Sequence, residues 1–126
     1  METKAAESYE ETVERIRAEN PGTEIWEGGH PRTGDKWIYR PSTPSEAETY
    51  RTLQAKAKAA EQSYEASYVM LTLGGTNDNS PPGCVLWPAK ADLKKLLAKR
   101  PFLAATMAAE ICDVSGMAQD VTQKKL

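Results

Sequence analysis

The chain has 126 residues, of which 40% are hydrophobic and 27% are charged, and its formal net charge is −2. This length and near-average composition predict one globular domain, because two domains of half the size would each have a weak core. A pI of about 5.5 argues against general nucleic-acid binding.

The charge is unevenly distributed along the chain. Residues 1–30 carry eight acidic and three basic side chains, whereas residues 89–126 carry seven basic and four acidic ones. We interpret the basic stretch from Lys90 to Arg100 as a solvated helix face, with contact to an acidic partner or to nucleic acid as the alternatives. No apolar run reaches the ~18 residues of a spanning helix, and the N-terminus lacks a signal-peptide pattern, so we predict a cytosolic protein without membrane contact.

The first predicted element is a helix from Glu7 to Asn20. Tyr9, Val13 and Ile16 fall at i, i+4 and i+7 and form one narrow apolar stripe among acidic and Arg residues. A stripe this narrow leaves two possibilities open for residues 1–22: a docked helix, or an acidic arm that orders only against a partner.

A β-hairpin is predicted next, over residues 23–40. Its strands are Thr23–Trp26 and Lys36–Tyr39, two runs of β-forming residues separated by Gly and Pro. Alternation places Trp37 and Tyr39 on one face, and we expect helices to cover one face of this ribbon.

A capping box then opens a predicted long helix over residues 44–73. Thr43 is the expected N-cap, Pro44 the first helical residue and Glu46 the acid that closes the box. Apolar residues continue at spacings of three and four, which predicts one buried stripe on a helix that runs straight or bends midway. The stripe comprises Ala47, Tyr50, Leu53, Ala57, Ala60, Tyr64, Tyr68 and Leu71.

The C-terminal part is predicted to be a polar loop, an extended segment and two helices. Gly74 ends the long helix, and the loop covers residues 74–83. Cys84–Trp87 reads as an extended apolar segment, and the helices fall within residues 89–115, with a flexible tail over 117–126. The predicted class is therefore α+β and predominantly helical, with residues 23–116 as the globular domain and a small helical bundle after the hairpin.

Several patterns that imitate functional sites have simpler explanations. Gly29 to Lys36 resembles a phosphate-binding loop, but Asp35 puts a carboxylate where the Lys should follow the glycine, so we interpret it as a hairpin loop. Asn77, Asp78 and Asn79 lack the downstream Glu of a calcium loop. His30 has no neighbouring Cys, Asp or Ser in a pattern typical of zinc sites or catalytic triads.

Cys84 and Cys112 are predicted to be reduced core residues. We therefore predict no metal, no cofactor and no enzymatic activity.

Three segments of the chain together resemble a family of small tail assembly chaperone-like proteins of long-tailed phages and prophages. The resemblance covers about residues 36–115. It is carried by the run Trp37–Pro41, the capping box with Tyr50, the run Cys84–Pro88, and then Leu93, Leu97, Arg100, Pro101 and Leu103.

The resemblance implies a non-catalytic chaperone in the host bacterial cytoplasm. Such a protein binds the long, aggregation-prone tape measure protein, keeps it soluble while the tail tube polymerises, and is absent from the mature virion. The tail tube protein is a second candidate partner, and self-association is expected when no client is bound.

Four residues are predicted to lie at or near the partner-binding surface: Tyr64, Tyr68, Trp87 and Met107. Aromatic side chains with polar tips are enriched at interfaces, although the same residues at helical spacing are core residues more often than not. An amphipathic client helix would lie in a groove between helices. The alternative function is a phage or prophage inhibitor or adaptor that binds a host protein through an acidic arm, Glu2–Glu27, imitating a phosphate backbone.

Overall fold

The computed structural model describes residues 7–75 and 82–116. They form five helices, α1 (Tyr9–Glu19), α2 (Pro44–Ala59), α3 (Glu65–Leu73), α4 (Lys90–Lys99) and α5 (Leu103–Val114), and three strands, β1 (Trp26–Gly29), β2 (Lys36–Tyr39) and β3 (Val85–Trp87). This architecture confirms the predicted α+β class with helices dominant. The start of the predicted arm, residues 76–81 of the predicted loop with Asn77, Asp78 and Asn79, and the predicted tail 117–126 lie outside the described residues.

The strands form one antiparallel sheet in the order β1-β2-β3. The predicted first strand, Thr23–Trp26, is wrong because the observed strand starts at Trp26 and includes Gly28 and Gly29. Glycine is a poor strand former, but a Cβ on Gly28 would lie 2.1 Å from Nε1 of Trp37. Packing of the indole against the neighbouring backbone therefore selects glycine at this strand position.

Both faces of the sheet are covered, which corrects the expectation that helices pack on one face. Trp37 and Tyr39 are buried in the main core with residues of α3, α4 and α5. Ile38, on the other face, is only 2% exposed. Helix α1 covers that face, where the rings of Tyr9 and Trp87 meet at 5.8 Å. The segment Tyr9–Glu19 is therefore a docked helix and not a free arm.

The predicted capping box of α2 is confirmed. The hydroxyl of Thr43 accepts a hydrogen bond from the backbone N–H of Glu46, and the Glu46 carboxylate accepts one from the backbone N–H of Thr43. The cap satisfies donors that would otherwise have no partner in the first helical turn. This cap fixes where the helix begins.

The single long helix predicted over residues 44–73 is wrong, because the chain leaves helical geometry after Ala59. Glu61 has a φ of 54°, in the left-handed region, and α3 starts at Glu65. The two helices pack against each other, with the rings of Tyr50 and Tyr68 6.5 Å apart. The predicted apolar stripe is therefore folded back on itself.

The C-terminal helices, predicted to fall within residues 89–115, complete the core. Gly74, with a φ of 79°, ends α3, and the N–H of Cys84 then donates to the carbonyl of Leu71 at 2.8 Å, which joins β3 to that helix end. Helix α5 packs on α3 and contributes Met107 and Ile111, both with no exposed surface. Leucine is the commonest side chain in the core around Trp37, followed by alanine.

Candidate partner-binding surface

The junction between α4 and α5 carries the most exposed large apolar side chain in the described residues. Phe102 is 89% exposed. It borders a groove of about 440 Å³ between this junction and the β1–β2 turn. The groove is lined by His30, Lys99, Arg100, Pro101, Phe102, Leu103 and Thr106.

The local sequence explains why Phe102 points outward. Pro101 interrupts the helical hydrogen bonding, so α4 ends at Lys99 and α5 begins at Leu103. In α5 the buried residues are Leu103, Ala104, Met107, Ala108 and Ile111, which form one helical face. Phe102 precedes this face by one residue and is out of phase with it, so its ring stays in solvent.

The rim of the groove is cationic. Arg100 Nε lies 3.3 Å from Oδ2 of Asp35, close enough for an ion pair although the N–H is not aligned for a hydrogen bond. Nδ1 of His30 is buried and makes no hydrogen bond. Lys99 adds a further positive charge. The groove therefore combines apolar contact area with cations, a combination that suits an apolar side chain next to an acidic one.

A second exposed aromatic residue, Trp26, starts strand β1. It is 45% exposed, and its indole N–H donates to the Glu24 carboxylate at 2.7 Å. Beside it, a groove of about 290 Å³ runs between α1 and the sheet, lined by Tyr9, Val13, Arg17, Ile25, Trp26, Glu27 and Ile38. Trp26 thus adds a second apolar contact area at the edge of the sheet.

The four predicted contact residues do not form one surface. Met107 has no exposed surface and belongs to the core, so its predicted role at a partner surface is corrected: the burial of the α5 face leaves it nothing to contact. Tyr68 is half-buried against Tyr50. Trp87 is half-buried beneath Tyr9 of α1.

Tyr64 is the member of that set with a clearly exposed side chain, at 37%. It lies in the turn before α3, next to a shallow groove lined by Gln62, Ser63, Glu65, Ala66 and Val69. The predicted set missed Phe102 and Trp26. The phase of Phe102 relative to Leu103 and Met107 is a sequence signal that could have identified it.

A polar cluster of Arg40, Glu46 and Cys84 lies at the start of α2. Burial disfavours the ionised Glu46 carboxyl, but hydrogen bonds from Arg40 and from the Thr43 backbone outweigh burial and lower its pKa to about 2. Burial, followed by the charge of Glu46, raises the pKa of the Cys84 thiol to about 12. This thiol is protonated at neutral pH and is a poor nucleophile, so the cluster suits a structural role.

A second cluster surrounds Glu110 on α5. Burial raises the pKa of this carboxyl, although a hydrogen bond from the Tyr39 hydroxyl opposes the shift; Nε1 of Trp37 is buried nearby and makes no hydrogen bond. The pKa of Tyr39 is raised to about 12, first by burial and then by the charge of Glu110. These groups join β2 to α5 beneath Gly28.

No family model matches the sequence, and no curated protein or solved structure matches it either. Among the described residues, no helix combines the length and apolar character needed to cross a membrane. Within the same residues, no three His, Cys, Asp or Glu side chains are grouped closely enough to hold a metal ion. The two exposed aromatic areas, at Phe102 and at Trp26, are the surface features that could contact a partner.

Proposed function

We propose that this protein is a non-catalytic tail assembly chaperone that binds a phage tape measure protein and keeps it soluble while the tail tube polymerises. Its site of action would be the cytoplasm of the infected bacterium, and it would be absent from the mature virion. The resemblance of residues 36–115 to that family motivates the choice of client.

One observation carries the proposal: Phe102 is 89% exposed beside a groove with a cationic rim. An isolated exposed apolar residue is ordinary, but a largely exposed phenyl ring that borders a groove offers a partner an aromatic anchor beside a pocket. The ring adjoins Arg100, Pro101 and Leu103, which belong to the residues that carry the family resemblance. The proposed client contact and the resemblance therefore coincide in the chain.

The chemistry of the groove indicates how a client would be held. Phe102 and Pro101 supply apolar area for a helix or loop of the client, and Lys99 can pair with an acidic client residue at the rim, where Arg100 is already paired with Asp35. Tyr64, 37% exposed on another part of the surface, supplies a further contact. Several separated contacts suit a long client that must later be released.

Co-expression with the tape measure protein of the same genome tests the proposal. The expected result is a soluble client that co-purifies with this protein. Phe102→Ser should weaken the complex about tenfold, as expected for loss of an aromatic anchor. Met70→Ser is the matched control, because Met70 is also exposed, at 40%, but lies on α3. An insoluble client and no complex with the unmodified protein would remove the basis of the proposal.

The alternative function, inhibition of a host protein through an acidic arm, has less support from the geometry. Helix α1 is docked through Ile16, and Arg15 pairs with Glu7 and Glu19 on its surface. These ion pairs interrupt the row of negative charge that imitation of a phosphate backbone requires. The alternative predicts binding to a host protein that is lost when the acids of α1 are replaced.

A further inference from the structure

Strand β1 has a free backbone edge. In the described part of the chain it pairs only with β2, and its other side faces no strand. The N–H of His30 donates to the carbonyl of Asp35 at 2.9 Å, so His30 and Asp35 form a hydrogen-bonded pair. Since hydrogen-bonded and non-hydrogen-bonded pairs alternate, the inward-bonded residues are Trp26 and Gly28. The backbone N–H and C=O groups of Glu27 and Gly29 therefore point outward.

We infer that two copies of this chain associate through their β1 edges, antiparallel and around a two-fold axis at Gly28. In this register Glu27 lies opposite the partner's Gly29, and each such pair exchanges two backbone hydrogen bonds. The result is a continuous six-stranded sheet. The inference depends on the geometry of the edge and does not rest on the identity of any client.

Charge and backbone hydrogen bonding favour this register over the two registers whose axis lies one residue away. An axis at Glu27 would place two carboxylates directly opposite each other, which is destabilising in a sheet. An axis at Gly29 would place Glu27 opposite Pro31 of the second copy, which has no N–H to donate. With the axis at Gly28, Glu27 faces a glycine, and its carboxylate keeps the ion pair with Lys36 of its own chain, 3.9 Å away.

The same register covers the exposed aromatic residues. By alternation the Cβ atoms of Trp26 and His30 lie on the face of the sheet that Trp37 and Tyr39 occupy, although Trp26, at the strand end, also borders the groove beside α1. In this register Trp26 lies opposite the partner's His30. His30 lines the groove beside Phe102, so each Trp26 is brought to the groove of the other copy. The two exposed aromatic areas thus become one interface, and the second copy and a client compete for the same groove.

Electrostatic complementarity supports a second copy as the occupant. The indole N–H of Trp26 donates a 2.7 Å hydrogen bond to Glu24. The Glu24 carboxylate therefore lies beside Trp26 at the interface with the other copy. The groove that receives them has Lys99 on its rim, next to Arg100, which is paired with Asp35 of its own chain. An indole next to a carboxylate matches a phenyl ring next to cations, with cation–π contact as a further contribution.

Sedimentation or light scattering from about 1 µM to about 1 mM, the range in which moderate complexes dissociate, tests the inference. The unmodified chain, of 13.9 kDa, should show a mass twice that of the monomer at the upper concentrations. Glu27→Pro removes the outward N–H without removing a bond to β2, and it should weaken the dimer about a hundredfold. Glu27→Gln is the matched control, because it removes the same charge but keeps the N–H.

Two further measurements keep the inference falsifiable if Glu27→Pro does not fold, which circular dichroism will show. Trp26→Ser should weaken the dimer about tenfold, whereas Met70→Ser should leave it unchanged. Carbodiimide cross-linking of mixed ¹⁴N and ¹⁵N chains should give a mixed-isotope link between Glu27 and Lys36, besides the single-isotope link that their 3.9 Å separation within one chain allows. A monomer at every concentration, or equal dimerisation of the Pro and Gln variants, would overturn the inference.

Discussion

The guanidinium of Arg40 donates two hydrogen bonds to the carboxylate of Glu46, 2.7 and 2.9 Å long, and so ties the end of β2 to the first turn of α2. The Arg40 and Glu46 side chains are 18% and 29% exposed. The Glu46 carboxylate also accepts the N–H of Thr43 in the capping box. One carboxylate thus fixes both the start of the helix and its attachment to the sheet.

Replacement of this carboxylate should give a pH-dependent loss of stability. The folded-state pKa of Glu46 is about 2, below its ordinary value of 4.5. A lowered pKa stabilises the fold above about pH 4.5, and this contribution is lost as the pH falls towards 2. At pH 7 Glu46→Gln should therefore lower the free energy of unfolding by roughly 2 kcal/mol, and the difference should shrink below pH 4.5.

Urea unfolding at pH 7, 4 and 2.5 measures this difference. Gln can still close a capping box, so the comparison isolates the charge. Glu48→Gln, an exposed carboxylate of the same helix, should change stability by less than about 0.5 kcal/mol at each pH. A loss for Glu46→Gln that is the same at all three pH values would contradict the assigned role.

Gly28 should tolerate no side chain, in contrast to its neighbour Gly29. A Cβ on Gly28 would lie 2.1 Å from Nε1 of Trp37 and 2.5 Å from Oε2 of Glu110, whereas one on Gly29 meets nothing closer than 3.4 Å. Gly28→Ala should therefore cost about 2 kcal/mol or more, and Gly29→Ala less than about 1 kcal/mol. Thermal unfolding of the two variants checks this, and equal midpoints would show that Trp37 can move aside.

The sequence was sufficient to predict the helix boundaries that depend on residues close together in the chain. The box formed by Thr43 and Glu46 was predicted because its hydrogen bonds join residues three positions apart. The end of α3 followed from Gly74, whose left-handed backbone conformation determines the boundary.

The remaining features depend on distant contacts that periodicity does not encode. An apolar stripe from Ala47 to Leu71 fits one long helix, or two helices folded face to face, equally well. The break at Glu61 has no Pro or Gly to announce it, and packing of Tyr50 on Tyr68 stabilises the turn. The candidate groove could not be predicted, because it joins His30 to a junction seventy residues away in the chain.

Substitutions at Phe102 and at Met107, five residues apart, should differ sharply in their effect on the free energy of unfolding. Met107→Ala removes a side chain with no exposed surface and should lower the free energy of unfolding by about 2–5 kcal/mol. Phe102→Ser, at an 89% exposed position, should change it by less than about 0.5 kcal/mol. Chemical unfolding of both variants measures the contrast. A large loss for Phe102→Ser would mean that the ring packs on the core and is not a contact site.

The two cysteines should react with thiol reagents at different rates. Cys84 has no exposed surface, and burial, then the charge of Glu46, raises the pKa of its thiol to about 12. Because only the thiolate reacts, its fraction at pH 8 is roughly a thousandfold below that of an ordinary cysteine. Burial also raises the pKa of Cys112, but this side chain is only half-buried, beside Tyr50.

Iodoacetamide labelling of the native protein at pH 8, followed by peptide mass mapping, should therefore detect Cys112 adducts long before Cys84 adducts. Both residues are compared within one molecule, so no variant is required. In urea above the unfolding midpoint the two rates should converge, because burial and the contact with Glu46 are lost together. Native labelling of Cys84 as fast as that of Cys112 would show that the strand β3 opens readily from α3, and the Arg40–Glu46 attachment would then be weaker than its geometry indicates.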